Sequence, residues 1–381
     1  MGLSFSKKNQ EIKISELDKL KAEIKSLNQE IDYKNKIIEK LENYNIEKFD
    51  QSNDLIKIKE EKIMQKYENI VIEGGGTKGI CYCGALQELE KNGILKNIKR
   101  YAGSSAGAII ATLLALNYNA QEIKDIIYKT NFDKFIDDKF GFIRDALCIM
   151  KEYGYCSGSY FFNFIGNLIK FKTNNQDYTF KNLYDDHKKE LVITGTDLNQ
   201  MKTIYFSNLT TPDFPIRDAV RISMSIPFLF TPLKWNEHFM VDGGTIDNYP
   251  IHVFDGAYPG DPAAKLNLTE SNPKTIGLKI MTPDERENFE LYKKENITSL
   301  KQFSMSIINT LMVANERKYL KAGYWERTIP IKCPNIPITK FDISNEMKDK
   351  LIENGKIAVQ KYFADSLFNR IQSSDKLEKD I

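Results

Sequence analysis

Ser105 stands at the centre of Gly103-Ser104-Ser105-Ala106-Gly107, a G-x-S-x-G pentapeptide. A serine hydroxyl attacks a carbonyl carbon when a base takes its proton and the backbone holds its oxygen clear of its neighbours. A sharp turn from strand to helix provides that exposure, and small residues on both sides make the turn possible. The flanking sequence fits: Ile98 to Ala102 is strand-like, and Ala108 to Leu116 is an apolar, helix-like run. A helix beginning under the turn would aim its positive end at the hydroxyl, where an anion forms. The competing interpretation is an ordinary serine-rich turn, because so short a pattern arises often by chance.

One βα unit earlier, Asn69-Ile70-Val71-Ile72-Glu73 reads as a buried strand. Gly74-Gly75-Gly76-Thr77-Lys78-Gly79 follows it and opens a helical stretch from Ile80 to Asn92. A dinucleotide site needs an acidic residue at the end of the next strand to hold the ribose. Here that strand ends in Tyr101-Ala102-Gly103-Ser104, so the dinucleotide interpretation fails. A P-loop fails as well, since Lys78 precedes the last glycine and no Lys-Ser/Thr pair follows. What remains is a row of backbone N–H groups at a helix start, suited to an oxyanion beside a serine nucleophile.

The third feature is Val241-Asp242-Gly243-Gly244, preceded by Arg221-Ile222-Ser223-Met224-Ser225-Ile226-Pro227-Phe228-Leu229-Phe230. An aspartate at a strand end before two glycines can approach another group closely. On its own, Asp-Gly reads as a common hairpin turn.

Taken together, EGGGTKG, GSSAG, SMSIPFLFTP and DGGTIDNYP, in this order, resemble the patatin-like phospholipase family over roughly Glu68 to Phe363. The combination is specific where no single part is. The resemblance implies a Ser-Asp dyad without histidine, with Ser105 as nucleophile and Asp242 as base. It implies an oxyanion hole from the backbone of Gly75 and Gly76 within a loop that includes Gly74, Thr77, Lys78 and Gly79. Lys78 stands where the family has Arg or Lys, and Asn248 and Pro250 match positions that usually follow the aspartate. Gly103, Gly107, Gly243 and Gly244 complete the motifs. The implied substrate is a phospholipid or another acyl-ester lipid at a membrane surface. The implied fold is a three-layer α/β/α sandwich with a central, mainly parallel sheet. No metal or other cofactor is called for.

The histidines agree with a dyad. There are three: His187, His238 and His252. A triad in the order Ser, acid, His would need His252, in an apolar Pro-Ile-His-Val-Phe stretch that suggests core packing or a local hydrogen bond. His238 falls where a hairpin turn is expected before the aspartate strand, and His187 lies in a solvated Asp-Asp-His-Lys-Lys run. An unperturbed aspartate, pKa about 4, is too weak a base for serine, so the dyad predicts a desolvated carboxyl with a raised pKa. Two rival functions stay open: a Ser-His-Asp esterase acting on small soluble esters, and an inactive coiled-coil scaffold.

These motifs need a sheet and helices to bring them together, and 381 residues suffice for one large α/β domain, taken as 67–381, plus an extension. A net charge of +2 offers no basic face for nucleic acid. Five cysteines without repeated spacing suggest reduced thiols and an intracellular setting, and Cys81-Tyr82-Cys83 is too tight for a zinc pair. No stretch has the length and apolarity to cross a bilayer, and the sequons at Asn208, Asn267 and Asn296 are expected to be unglycosylated. Residues 1–66 differ in composition, with Leu17, Leu20, Ile24, Leu27, Ile31, Ile38 and Leu41 in a seam that Lys34 interrupts. The seam predicts a coiled coil and homo-oligomer, or one amphipathic helix. Met1-Gly2-Leu3-Ser4-Phe5-Ser6 matches an N-myristoylation signature at Gly2, which would place the protein on a cytoplasmic membrane face.

Downstream, strands are expected at Thr275 to Met281 and Arg327 to Cys333, with helices at Ser299 to Lys321 and from Ser344 to Phe363. The region Phe132 to Lys181 is expected to form a cap over the site, with Phe161, Phe162 and Phe164 against acyl chains or in the core.

Overall fold

The computed structural model describes residues 66–136, 152–256, 271–281, 297–298, 303, 306–307, 310, 322–334, 336–337 and 340–377. All fall in the second of two compact units, Ile63–Ile381. The predicted coiled coil, the Gly2 signature and most of the helix expected at 299–321 lie outside them.

Five strands are buried at most of their positions, as strands covered on both faces are. They are β1 (Asn69–Ile72), β2 (Arg100–Gly103), β4 (Glu190–Asp197), β9 (Thr275–Met281) and β10 (Thr328–Lys332). They pair in parallel in the order β10-β9-β1-β2-β4. Pro330 is accommodated because β10 ends this path, where a missing ladder donor costs nothing. The sheet continues antiparallel through β8 (His238–Asp242) and β7 (Leu233–Trp235), and β5 (Lys202–Phe206) also pairs with β4. Outside this sheet, β3 (Gly154–Cys156) pairs with β6 (Phe228–Phe230). The result is the three-layer, mainly parallel α/β sandwich expected from the motifs.

Alternation along the strands divides the core. Ile70, Ile72, Tyr101, Leu191 and Ile193 pack into the large cluster with helices α1 (Cys81–Lys91), α2 (Ala106–Ala115), α3 (Ala120–Lys129) and α4 (Ser159–Thr173). Val71, Ala102 and Val192 point the other way, onto Tyr249, Ile251, Val253 and Phe254. Helix α2, apolar but for Thr112, is buried along its whole length. In order follow α5 (Phe180–His187), α6 (Ile216–Ser223), α7 (Ala322–Trp325) and α8 (Asn345–Leu377), which extends well beyond the expected Phe363.

One local expectation is corrected. The helix after the glycine loop does not begin at Ile80; a 3-10 turn, Gly76–Ile80, comes first. Asp242 ends β8 as expected, the Asp-Gly hairpin alternative is excluded, and the hairpin lies where it was expected, just before this strand, at Asn236 and Glu237. Those two residues have φ of 49° and 64°, the paired left-handed values of a tight hairpin. Of the expected cap, residues 137–151 lie outside the described set, and α4 packs into the core through Phe161, Ile165 and Ile169.

Candidate active site

The register of β4 brings two distant motifs together. Its first half pairs with β2, ending at Gly103↔Ile193, and its second half pairs with β8, beginning at Gly195↔Asp242. The residue after β2's turn and the last residue of β8 therefore meet near the middle of β4. Ser105 and Asp242 are each only 3% exposed.

Ser105 occupies the N-cap of α2 with φ 50° and ψ −124°. A left-handed φ on a residue with a Cβ costs on the order of 1–3 kcal/mol and persists only where the surroundings enforce it. Enforcement comes from packing around the turn: a Cβ on Gly107 would run into Ile72 O, and one on Gly103 into Gly107 O. Both positions accept only glycine because β1, β2 and α2 approach so closely. The backbone N–H of Ser105 donates to Ser223 Oγ at 2.8 Å, and its hydroxyl faces Met224 Sδ at 3.6 Å.

Asp242 accepts one aligned hydrogen bond, at Oδ1 from Gly244 N–H, 2.6 Å away. Its Oδ2 is buried with no aligned partner. Burial drives the carboxyl pKa up to about 7, while the neighbouring Ser105 hydroxyl and the Gly244 N–H pull it part of the way back. The hydroxyl proton is a free rotor, so the serine can turn from the weakly accepting sulfur to the carboxylate.

The glycine loop runs beside them. A Cβ on Gly74 would sit 3.0 Å from Ser105 Cβ and collide with Asn248 Oδ1. Asn248 holds this loop twice, its carbonyl accepting from Gly74 N–H and its Nδ2 donating to Gly74 O, both at 3.1 Å. Gly76 turns the chain with φ 54° into the 3-10 segment, which carries buried Thr77, half-buried Lys78 and buried Gly79. Among the described residues, the N–H groups of Gly75, Gly76 and Ala106 have no intramolecular acceptor. Gly243 and Gly244 form the 3-10 turn after Asp242, and Gly244 contributes the N–H already named. Asn248 Oδ1, like Asp242 Oδ2, is buried without a partner. Such atoms in a well-packed protein point to a ligand or water that engages them.

No histidine reaches either residue. His252 Nε2 lies 3.2 Å from the Tyr205 hydroxyl and 3.7 Å from Asp247 Oδ2. His238 Nδ1 pairs with Asp197 at 2.7 Å, and exposed His187 lies 3.5 Å from Asn117. No group of metal-ligating side chains occurs among the described residues.

Sequence reasoning missed several supports. Glu73, at the end of β1, forms a buried ion pair with Lys279 and accepts from Ile280 N–H at 2.8 Å. It fixes the start of the glycine loop against β9. A lysine inside the apolar run of β9 and an acid closing β1 were the available signals. Ser223, Met224 and Ser225 lay within a quoted motif, but nothing in their spacing indicated that they touch the two reactive residues.

Comparison with known proteins follows the same line. The model of the patatin-like phospholipase family matches residues 70–255, a span that contains both Ser105 and Asp242. An uncharacterized protein of Acanthamoeba polyphaga mimivirus is 30% identical over 301 residues, 78% of this chain and 93% of that protein. A protein of Invertebrate iridescent virus 6, named as a probable lipid hydrolase, is 30% identical over 193 residues, 49% of this chain and 63% of its own. The crystal structure of VipD from Legionella pneumophila shares the fold, with a TM-score of 0.51 at 18% identity, over 79% of this chain and 67% of that one. The chain belongs to the patatin-like phospholipase family of lipid hydrolases.

Proposed function

We propose that this protein is a phospholipase A-type acyl hydrolase using Ser105 as nucleophile and Asp242 as its only base. The observation that carries the reading is the pairing of a serine at φ 50° with a buried, under-bonded carboxyl whose pKa is about 7, and no histidine at either. A carboxylate of that pKa is about three units more basic than an ordinary one and accepts a proton correspondingly better.

Asp242 takes the Ser105 proton as Oγ bonds to the ester carbonyl carbon. The carbonyl oxygen becomes an alkoxide that receives N–H donors from Gly75 and Gly76, with Ala106 available as a third. Each such donor is worth about 3 kcal/mol to the transition state. As the C–O ester bond breaks, protonated Asp242 returns its proton to the departing lysolipid oxygen. Water then attacks the acyl-serine, giving a proton to Asp242; as the acyl C–O bond breaks, Asp242 passes that proton to Ser105 Oγ and the fatty acid leaves. Helix α2, starting at the nucleophile, adds a favourable field for the negative charge.

A fluorophosphonate probe and a panel of phospholipids test this directly. Wild type should label and release fatty acid, and Ser105→Ala should do neither while melting at nearly the same temperature. Labelling that persists in Ser105→Ala would exclude Ser105 as the nucleophile. The membrane association expected from Gly2 is tested separately, by whether Gly2→Ala lowers vesicle partitioning of the myristoylated protein.

A further inference from the structure

Three consecutive residues at the end of α6 each touch one of the two reactive residues. Ser223 Oγ accepts from Ser105 N–H at 2.8 Å. Met224 Sδ faces the Ser105 hydroxyl at 3.6 Å. Ser225 O accepts from Asp242 N–H at 2.9 Å. Ser223 and Ser225 are fully buried. We propose that this tip is a bracket that sets nucleophile against base, with Ser223 as the positioning residue for Ser105. The proposal rests on the dyad reading given above.

The N–H of an N-cap residue has no acceptor inside its own helix. At Ser105 the left-handed φ turns that N–H toward α6, and Ser223 supplies the acceptor from 118 positions further along the chain. The hydrogen bond makes the φ of 50° a defined position, and the same φ directs Oγ toward Asp242. Met224 gives the resting hydroxyl a weak acceptor, which a thioether yields readily when the carboxylate competes.

Arg221 keeps the bracket rigid. Its guanidinium donates to Ser225 Oγ at 2.5 Å, to Ser157 O at 2.6 Å and to Thr231 O at 3.0 Å, and Ser225 Oγ donates back to Arg221 O at 2.8 Å. One side chain thus ties the end of α6 to the residues that directly follow β3 and β6 at one end of that parallel pair.

The test compares wild type with Ser223→Ala, Ser223→Cys and Ser223→Thr on a soluble p-nitrophenyl ester, with Ser105→Ala alongside. For Ser223→Ala, kcat should fall by roughly ten- to a hundredfold, the scale of a 1 Å misplacement, with KM within about twofold. Ser223→Thr, which restores an oxygen acceptor, should recover kcat to within about fivefold of wild type. Ser223→Cys is nearly isosteric and a weaker acceptor, so it should fall between; it replaces the alanine variant if that one fails to fold. A kcat for both Ser223→Ala and Ser223→Cys within twofold of wild type, or a loss appearing in KM, would overturn the bracket alone. Full activity in Ser105→Ala would overturn the dyad itself, whatever Ser223 does.

Discussion

Two aspartates stand at neighbouring strand ends, equally hidden from solvent and opposite in behaviour. Asp197 closes β4 and Asp242 closes β8, and each is 3% exposed. Burial pushes both carboxyls up. At Asp197, His238 and the N–H groups of Asn199 and Gln200 outweigh burial and leave its pKa below the usual carboxylate value. At Asp242, one N–H and a hydroxyl neighbour do not, and its pKa stays at about 7. Deeper desolvation and fewer donors together separate a carboxyl held ready to take a proton from a structural carboxylate.

Replacement at both positions should separate these roles. Asp242→Asn keeps the shape of the side chain and removes its charge, and kcat on phospholipid should fall about 10³- to 10⁴-fold. The same change should raise stability at pH 8 by up to about 4 kcal/mol. Because the folded pKa lies above the unfolded one, wild type is penalised above about pH 7 and unpenalised below about pH 4. The gain should therefore disappear on acidification in thermal melts. Asp197→Asn should do the reverse, leaving kcat within about threefold and lowering stability at pH 7 by about 1–2 kcal/mol. Its folded pKa is depressed, so its contribution is full at neutral pH and lost as pH falls through that depressed value. Equal activity losses in the two variants would erase the distinction.

A third variant targets the elbow. Gly107→Ala places a methyl group against Ile72 O, where backbone cannot yield cheaply, and should cost about 2–4 kcal/mol in chemical denaturation. A smaller effect is expected at the last histidine with any claim on the chemistry. His252→Ala removes a neighbour of Tyr205 and Asp247 and not of Ser105 or Asp242, so kcat should stay within about threefold; a loss on the scale of Asp242→Asn would restore the triad.

The nucleophile and its turn were legible because tight backbone demands glycine at fixed positions, and Gly103 and Gly107 stand there. Asp242 was legible only in the company of the other motifs, since Asp-Gly alone also suits a hairpin. The parallel strands were readable from apolar runs such as Asn69-Ile70-Val71-Ile72. The bracket at Ser223 was not, because a buried serine looks the same in sequence whether it fills space or accepts a distant N–H. The Glu73–Lys279 pair was hidden for the same reason, as its members lie 206 positions apart. Helix α8 outran its expected end because nothing beyond Phe363 stops a helix: residues 364–377 contain no glycine or proline.

The most direct measurement is the rate of fluorophosphonate attachment to Ser105 as a function of pH, in wild type and in Asp242→Asn. The rate in wild type should rise through a single ionisation near pH 7, and in Asp242→Asn it should be slower by orders of magnitude and show no such step. An unchanged profile in Asp242→Asn would mean that some other group takes the serine's proton.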